Sequence, residues 1–218
     1  MDTLLRNRWW TFAVRAVAAA LFGSMVLARQ DLSLVDFSRW FGVAAVVNGL
    51  LALGATVIRF DAGNPWGDAG WDGTPTYAID PHWRSLAAEA VLSFVTGAVV
   101  LVTPITGERA LFGTIAGWAV AAGIAQALIA GQLQRLATGW QAMAFAAVVS
   151  FAAGLTLVAA SGATATARMT VVASAALIEA AMLAAIAVPL LRSWRDAAEP
   201  LAVQVPAVVL VPARSARR

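Results

Sequence analysis

Three ionisable side chains stand inside otherwise apolar runs of this chain: Arg15, Glu89 and Glu179. Asn48 is a fourth polar group in the same setting. A lone charge in hydrocarbon costs at least ~2.5–3.5 kcal/mol, so each needs a partner or water. Two carboxylates, a guanidinium and an amide are the materials of a proton- or ion-responsive centre. The same groups also make a structural pair that fixes how helices pack, with desolvation limiting what it adds to stability. A proton pump needs carboxylates or histidines strung across the bilayer, and two glutamates do not make such a chain.

Other chemistry is sparse. The chain holds no cysteine and one histidine, His82, which excludes disulfides, thiolate metal sites and a multi-histidine centre within one chain. No nucleophile elbow, phosphate-cradling glycine loop or metal-ligand cluster occurs. Asp61, Asp68, Asp72 and Asp80 share a Gly/Pro-rich stretch. They read as a solvated acidic loop ahead of a weak divalent-cation site. The expectation is therefore no enzyme, no metal and no cofactor.

The elements that position these residues are membrane spans. The chain has 218 residues, 61% hydrophobic and 12% charged, with a mean hydropathy of +0.77. Soluble domains carry roughly 25% charged residues. Trp9, Trp83 and Trp140 are each followed fourteen residues later by glycine, at Gly23, Gly97 and Gly154. Each apolar run between them is too long for a strand and too apolar for a surface helix. A short polar turn and a returning run complete each unit, so the chain reads as three helical-hairpin repeats, an all-α six-helix bundle. The spans fall at about 9–28, 40–58, 84–103, 110–131, 140–160 and 169–191.

This divides the chain into an N-terminus (1–8), a first hairpin (9–58), an Asp/Trp/Gly/Pro-rich loop (59–82), a second hairpin (83–135), a third (136–194) and a flexible tail (195–218). Arg15 and Glu89 each stand six residues after their tryptophan, about 9 Å below the interface, where they can pair across hairpins. Asn48, Ala122 and Glu179 each stand thirty-nine residues after it, which lets Asn48 and Glu179 bond deeper in the bundle. Gly113 and Gly117 form a GxxxG motif, and Ala176, Ala180 and Ala184 a small-residue seam. With Gly49, these are sites of close helix approach within the monomer or between copies or partners. Trp9, Trp10, Trp40, Trp83, Trp140 and Trp194 read as an interfacial aromatic belt.

All fifteen basic residues are arginine. Ten lie on the side that receives both termini and four on the other, which predicts cytoplasmic termini. Scattered arginines and a net charge of +3 argue against nucleic-acid binding. The expected partners are membrane lipids together with copies of the chain or other membrane proteins.

Asn7-Arg8-Trp9-Trp10, Arg15-Ala16-Val17 and Leu21-Phe22-Gly23 resemble the HdeD family of small bacterial acid-resistance membrane proteins. Trp40-Phe41-Gly42 and Val47-Asn48-Gly49-Leu50 match its second half-motif, where an acidic residue commonly precedes the glycine. The pattern recurs as Trp83, Glu89-Ala90-Val91, Gly97, Pro104 and Gly123, and more weakly as Trp140, Ala147-Val148 and Gly154. The resemblance covers about 7–194. It implies six spans, an inner-membrane location and an association with acid or envelope stress, with no catalytic residues to carry over. Beside it stand two other readings. One is a small transporter or channel with Arg15, Glu89, Asn48 and Glu179 along its path. The other is a subunit of a larger membrane complex, touching partners through 59–82 and the tail.

Overall fold

The computed structural model describes residues 9–29, 31–62, 83–103, 107–133 and 140–203. Among these the chain forms six helices and no strand: α1 (Trp9–Ala28), α2 (Leu34–Ala62), α3 (Trp83–Val102), α4 (Glu108–Leu133), α5 (Trp140–Ala159) and α6 (Ala165–Val203). All six are long and apolar enough to cross a membrane. The protein is a multi-pass membrane protein built as a six-helix bundle. The loop, expected from 59, begins after Ala62, so Asp61 falls in the last turn of α2; 63–82, with His82, Asp68, Asp72 and Asp80, the N-terminus 1–8 and the tail beyond 203 lie outside the described residues.

Two helices begin earlier than hydropathy predicts, because their caps are polar. Ser33 Oγ accepts from the Asp36 backbone N–H at 3.0 Å and donates to the Asp36 carboxylate at 2.7 Å, which starts α2 at Leu34 rather than near 40. Thr164 Oγ1 caps α6 by accepting from the Ala167 N–H at 3.3 Å, so α6 starts at Ala165 rather than 169. At its other end α6 continues past the expected limit of 191, through Pro200 to Val203. The first nine residues of the expected flexible tail are thus helical.

The helices close into a ring in chain order. The most extensive contacts join α2 to α3, α4 to α5, and α6 back to α1, while the two helices of each hairpin touch less. Small residues explain the difference. A Cβ built on Gly97 would lie 2.6 Å from the Val46 nitrogen and 2.7 Å from the Gly42 carbonyl oxygen. The Gly154 position meets the Ala116 carbonyl at 2.8 Å and the Val120 nitrogen at 3.0 Å; Gly23 meets the Ala173 carbonyl and Leu177 at 2.8 Å. Gly42, Ala116 and Ala173 each stand thirty-three residues after Trp9, Trp83 and Trp140 respectively, so one contact recurs at all three tight interfaces. Gly49 against Ala90 and Phe94, and Gly123 against Ala147 and Phe151, form a second recurring contact. At the third interface this register holds Ala180 and Ala20, so a Gly–Phe pair becomes an Ala–Ala pair.

Gly113 and Gly117 form no intramolecular seam among the described residues. Open space surrounds both, and they face outward from the ring. The α6 seam is also shifted: Ala173, Ala180 and Ala187 are buried, whereas Ala176 and Ala184 are only half-buried. Val14, Val17, Leu21, Val91, Val95, Val148 and Leu155 point outward, as lipid-facing residues do.

A Gly49→Ala substitution should destabilise the protein by about 1–3 kcal/mol, because backbone has no room to yield. Gly113→Ala should be neutral or stabilise by up to about 1 kcal/mol. Reversible unfolding in mixed micelles checks the contrast; equal effects at the two sites would contradict the assigned interfaces.

Candidate functional site

Arg15, on α1, is 5% exposed, and two of its guanidinium nitrogens find partners on neighbouring helices. Nη2 donates to Glu89 Oε1 on α3 at 2.6 Å, and Nε donates to Asn48 Oδ1 on α2 at 2.7 Å. Glu89 is 2% exposed, so this is a fully buried ion pair. Asn48 Nδ2 points toward Ser93 Oγ at 3.5 Å, and Trp118 Nε1 on α4 donates to the same hydroxyl at 3.3 Å. Four helices thereby meet in one knot of polar bonds.

Glu179 belongs to a second set. Its Oε1 accepts from Gln126 Nε2 on α4 at 3.4 Å, and Gln126 Oε1 accepts from Ser150 Oγ on α5 at 3.2 Å. Asn48 and Glu179, expected to bond one another, instead take different partners. Asn48 nevertheless stands within reach of Arg15, which bonds it directly, and Arg15, Asn48 and Glu179 line one cavity. The polar groups form a single layer that draws on all six helices.

The layer borders a cavity with about 80 Å³ of water-accessible volume. Arg15, Asn48, Ser150 and Glu179 form its polar end, and Phe22, Phe41, Trp118, Ile115 and Val172 its apolar walls. Apolar clusters close the layer on either side. Toward the start of α1 stand Ile129, Ala130, Met143 and Ile186. Toward the other end a phenylalanine-rich core holds Phe22, Phe37, Phe41 and Phe112, with ring centroids 5.9–6.3 Å apart between neighbours. Trp118 stands edge-on to Phe41 at 5.4 Å.

At that far end sits a second buried cation. Arg168 donates to the carbonyls of Ser161 and Ala163 at 2.8 and 2.7 Å, lies 3.1 Å from Glu108 and stacks 5.1 Å over Phe112. It was counted as a loop arginine by sequence, yet it staples the α5–α6 turn onto α4. Of the aromatic belt, Trp9 and Trp194 pair at 6.4 Å near one end of the bundle, and Trp10 is exposed there. Trp140 opens α5 half-buried; Trp40 is exposed six residues into α2, so it lies inside the span rather than at its end. The Trp83 side chain is outside the described residues.

Ser93, Trp118, Gln126 and Ser150 were missed by the sequence reading. Ser93 and Ser150 each stand ten residues after their repeat tryptophan, the signal that could have found them. Gln126 has no polar counterpart at equivalent positions, where Ala52 and Leu183 stand. Among the described residues no group of three potential metal ligands occurs.

Removing one partner of the knot should be far worse than removing both. Glu89→Gln strands a buried guanidinium and should cost about 3–5 kcal/mol, while the joint Arg15→Met, Glu89→Leu change should cost little. Unfolding titrations of the three variants decide it; a single mutant as stable as the double would mean the pair is not the tie. No protein-family model, curated protein or solved structure matches this chain.

Proposed function

We propose that this chain is a non-enzymatic protein of the bacterial inner membrane, stress-associated or accessory, that acts by docking helices and lipids. The carrying observation is that Arg15 and Glu89 are buried and bonded to one another. A scaffold needs its intramembrane charges consumed in this way, whereas a conduit needs them free and wet. Apolar clusters also stand on both sides of the layer among the described residues, which weighs against a continuous polar path. The outward Gly113–Gly117 face supports assembly with a second copy or another membrane protein, since small exposed residues let a foreign helix approach closely. The acid- and envelope-stress association rests on the HdeD resemblance. The three-repeat organisation is supported by the tight contact that recurs at three interfaces.

A second reading, a small transporter, is favoured by one observation. Arg15, Asn48 and Glu179 border a cavity large enough for water.

Purification from native membranes in mild detergent, followed by mass determination, tests the accessory role. The expected result is a discrete assembly larger than one chain. In liposomes the protein should carry no proton flux, and Glu179→Gln should leave the leak unchanged; a flux that Glu179→Gln abolishes would establish the transporter instead. The cysteine-free chain also permits a clean orientation test. Thr3→Cys should react with a membrane-impermeant maleimide only after cells are opened, and Ser161→Cys in intact spheroplasts. The reverse pattern would overturn cytoplasmic termini.

A further inference from the structure

The buried layer contains one cation and two carboxylic acids. Arg15 is committed to Glu89 and Asn48 by short bonds. Glu179 receives only a long bond from a neutral amide, Gln126, and faces the cavity. The groups that meet it there from the other helices are the Arg15 guanidinium of α1 and neutral side chains: Asn48 of α2, Trp118 of α4 and Ser150 of α5. Glu89 of α3 lies across Arg15 from it, and among the described residues no further ionisable side chain lines the cavity. An amide cannot neutralise a carboxylate, so the ionised layer is one positive charge short. A charge left uncompensated at this depth is costly.

The cavity is shaped for the missing charge when it is carried on a small apolar body. Phe22, Phe41 and Trp118 form aromatic walls, and ring faces attract cations, tryptophan most strongly. Ile115 and Val172 suit methyl or methylene groups. About 80 Å³ of water-accessible volume admits on the order of five to eight waters at roughly 10–15 Å³ each, which limits the guest to a similar number of heavy atoms. An anion would add to the surplus negative charge, and a neutral guest would leave it standing.

We propose that this cavity is a binding site for a small organic monocation of the alkylammonium class, its ammonium between Glu179 and the aromatic walls and its alkyl part against Ile115 and Val172. This goes beyond the accessory role and does not depend on it, because binding is measured on the isolated protein. The alternative occupant of Glu179 is a proton, with the cavity merely hydrated.

The test titrates the purified full-length chain, in an uncharged maltoside detergent, with n-butylammonium chloride by isothermal calorimetry. Neutral n-pentanol and the anion butyrate serve as matched probes. Saturable one-to-one binding of butylammonium is expected, at least about tenfold tighter than either probe and weakened at least about tenfold by Glu179→Gln, each factor being about 1.4 kcal/mol. Should Glu179→Gln fail to fold, Ala153→Phe fills the cavity with Glu179 intact and should abolish binding equally. Three results would overturn the site: no butylammonium binding to the wild type, equal binding of pentanol, or binding that persists in the folded variants. The first assigns Glu179 to a proton, the second makes the cavity an apolar void, and the third puts the cation elsewhere. Loss of the native assembly would sink the accessory role and leave this result untouched.

Discussion

A guanidinium held about 9 Å inside a lipid-embedded bundle must find an acceptor for its donors and a charge to oppose its own. Arg15 finds both, in Glu89 and Asn48, and those two residues come from different helices. Because α1 belongs to the first hairpin and α3 to the second, the pair ties the two hairpins together, and the Asn48 bond draws in α2. The burial cost therefore acts as a condition on topology. Any arrangement that separates the first and second hairpins leaves a charge bare in an apolar medium. Such a pair adds little net stability over an apolar substitute, but it penalises wrong arrangements strongly.

Close packing then does what hydrophobic burial does in water. Lipid tails are as apolar as leucine, so helices gain by approaching more closely than lipid can. Glycines at Gly23, Gly97 and Gly154 bring backbone against backbone at three interfaces, and these are the interfaces with the widest contact. Loop connectivity places α1 beside α2, but the tighter partner of α1 is α6. The ring is consequently held more tightly between hairpins than within them, and the α6–α1 contact closes it across helices from opposite ends of the chain. Small residues close these tight interfaces.

Much of this was legible in sequence, and the reasons are physical. Repeated offsets from Trp9, Trp83 and Trp140 mark repeated depth, so the shared level of Arg15 and Glu89 followed from counting. Apolar run length located the spans, because hydrocarbon thickness sets it. Helix starts were misplaced where hydropathy was allowed to overrule caps, since Ser33 and Thr164 are polar yet begin helices. The GxxxG at Gly113 and Gly117 left its setting open, within the monomer or between copies or partners, because the motif specifies a surface fit for contact, not which partner makes it. Gln126 was missed for a related reason. An unpaired amide in an apolar helix looks unremarkable until Glu179 is placed opposite it.

The polar layer stands between two apolar clusters. On the side where α1 begins lie Ile129, Ala130, Met143 and Ile186, with Phe12, Leu86 and Leu190 packed against them. On the other side Phe22, Phe37, Phe41 and Phe112 interlock, and Arg168 ties the turn above them. Charges set between apolar slabs have little but one another to bond. The pairing of Arg15 with Glu89 and Asn48 is therefore enforced by what lies above and below the layer as much as by the helices that carry it.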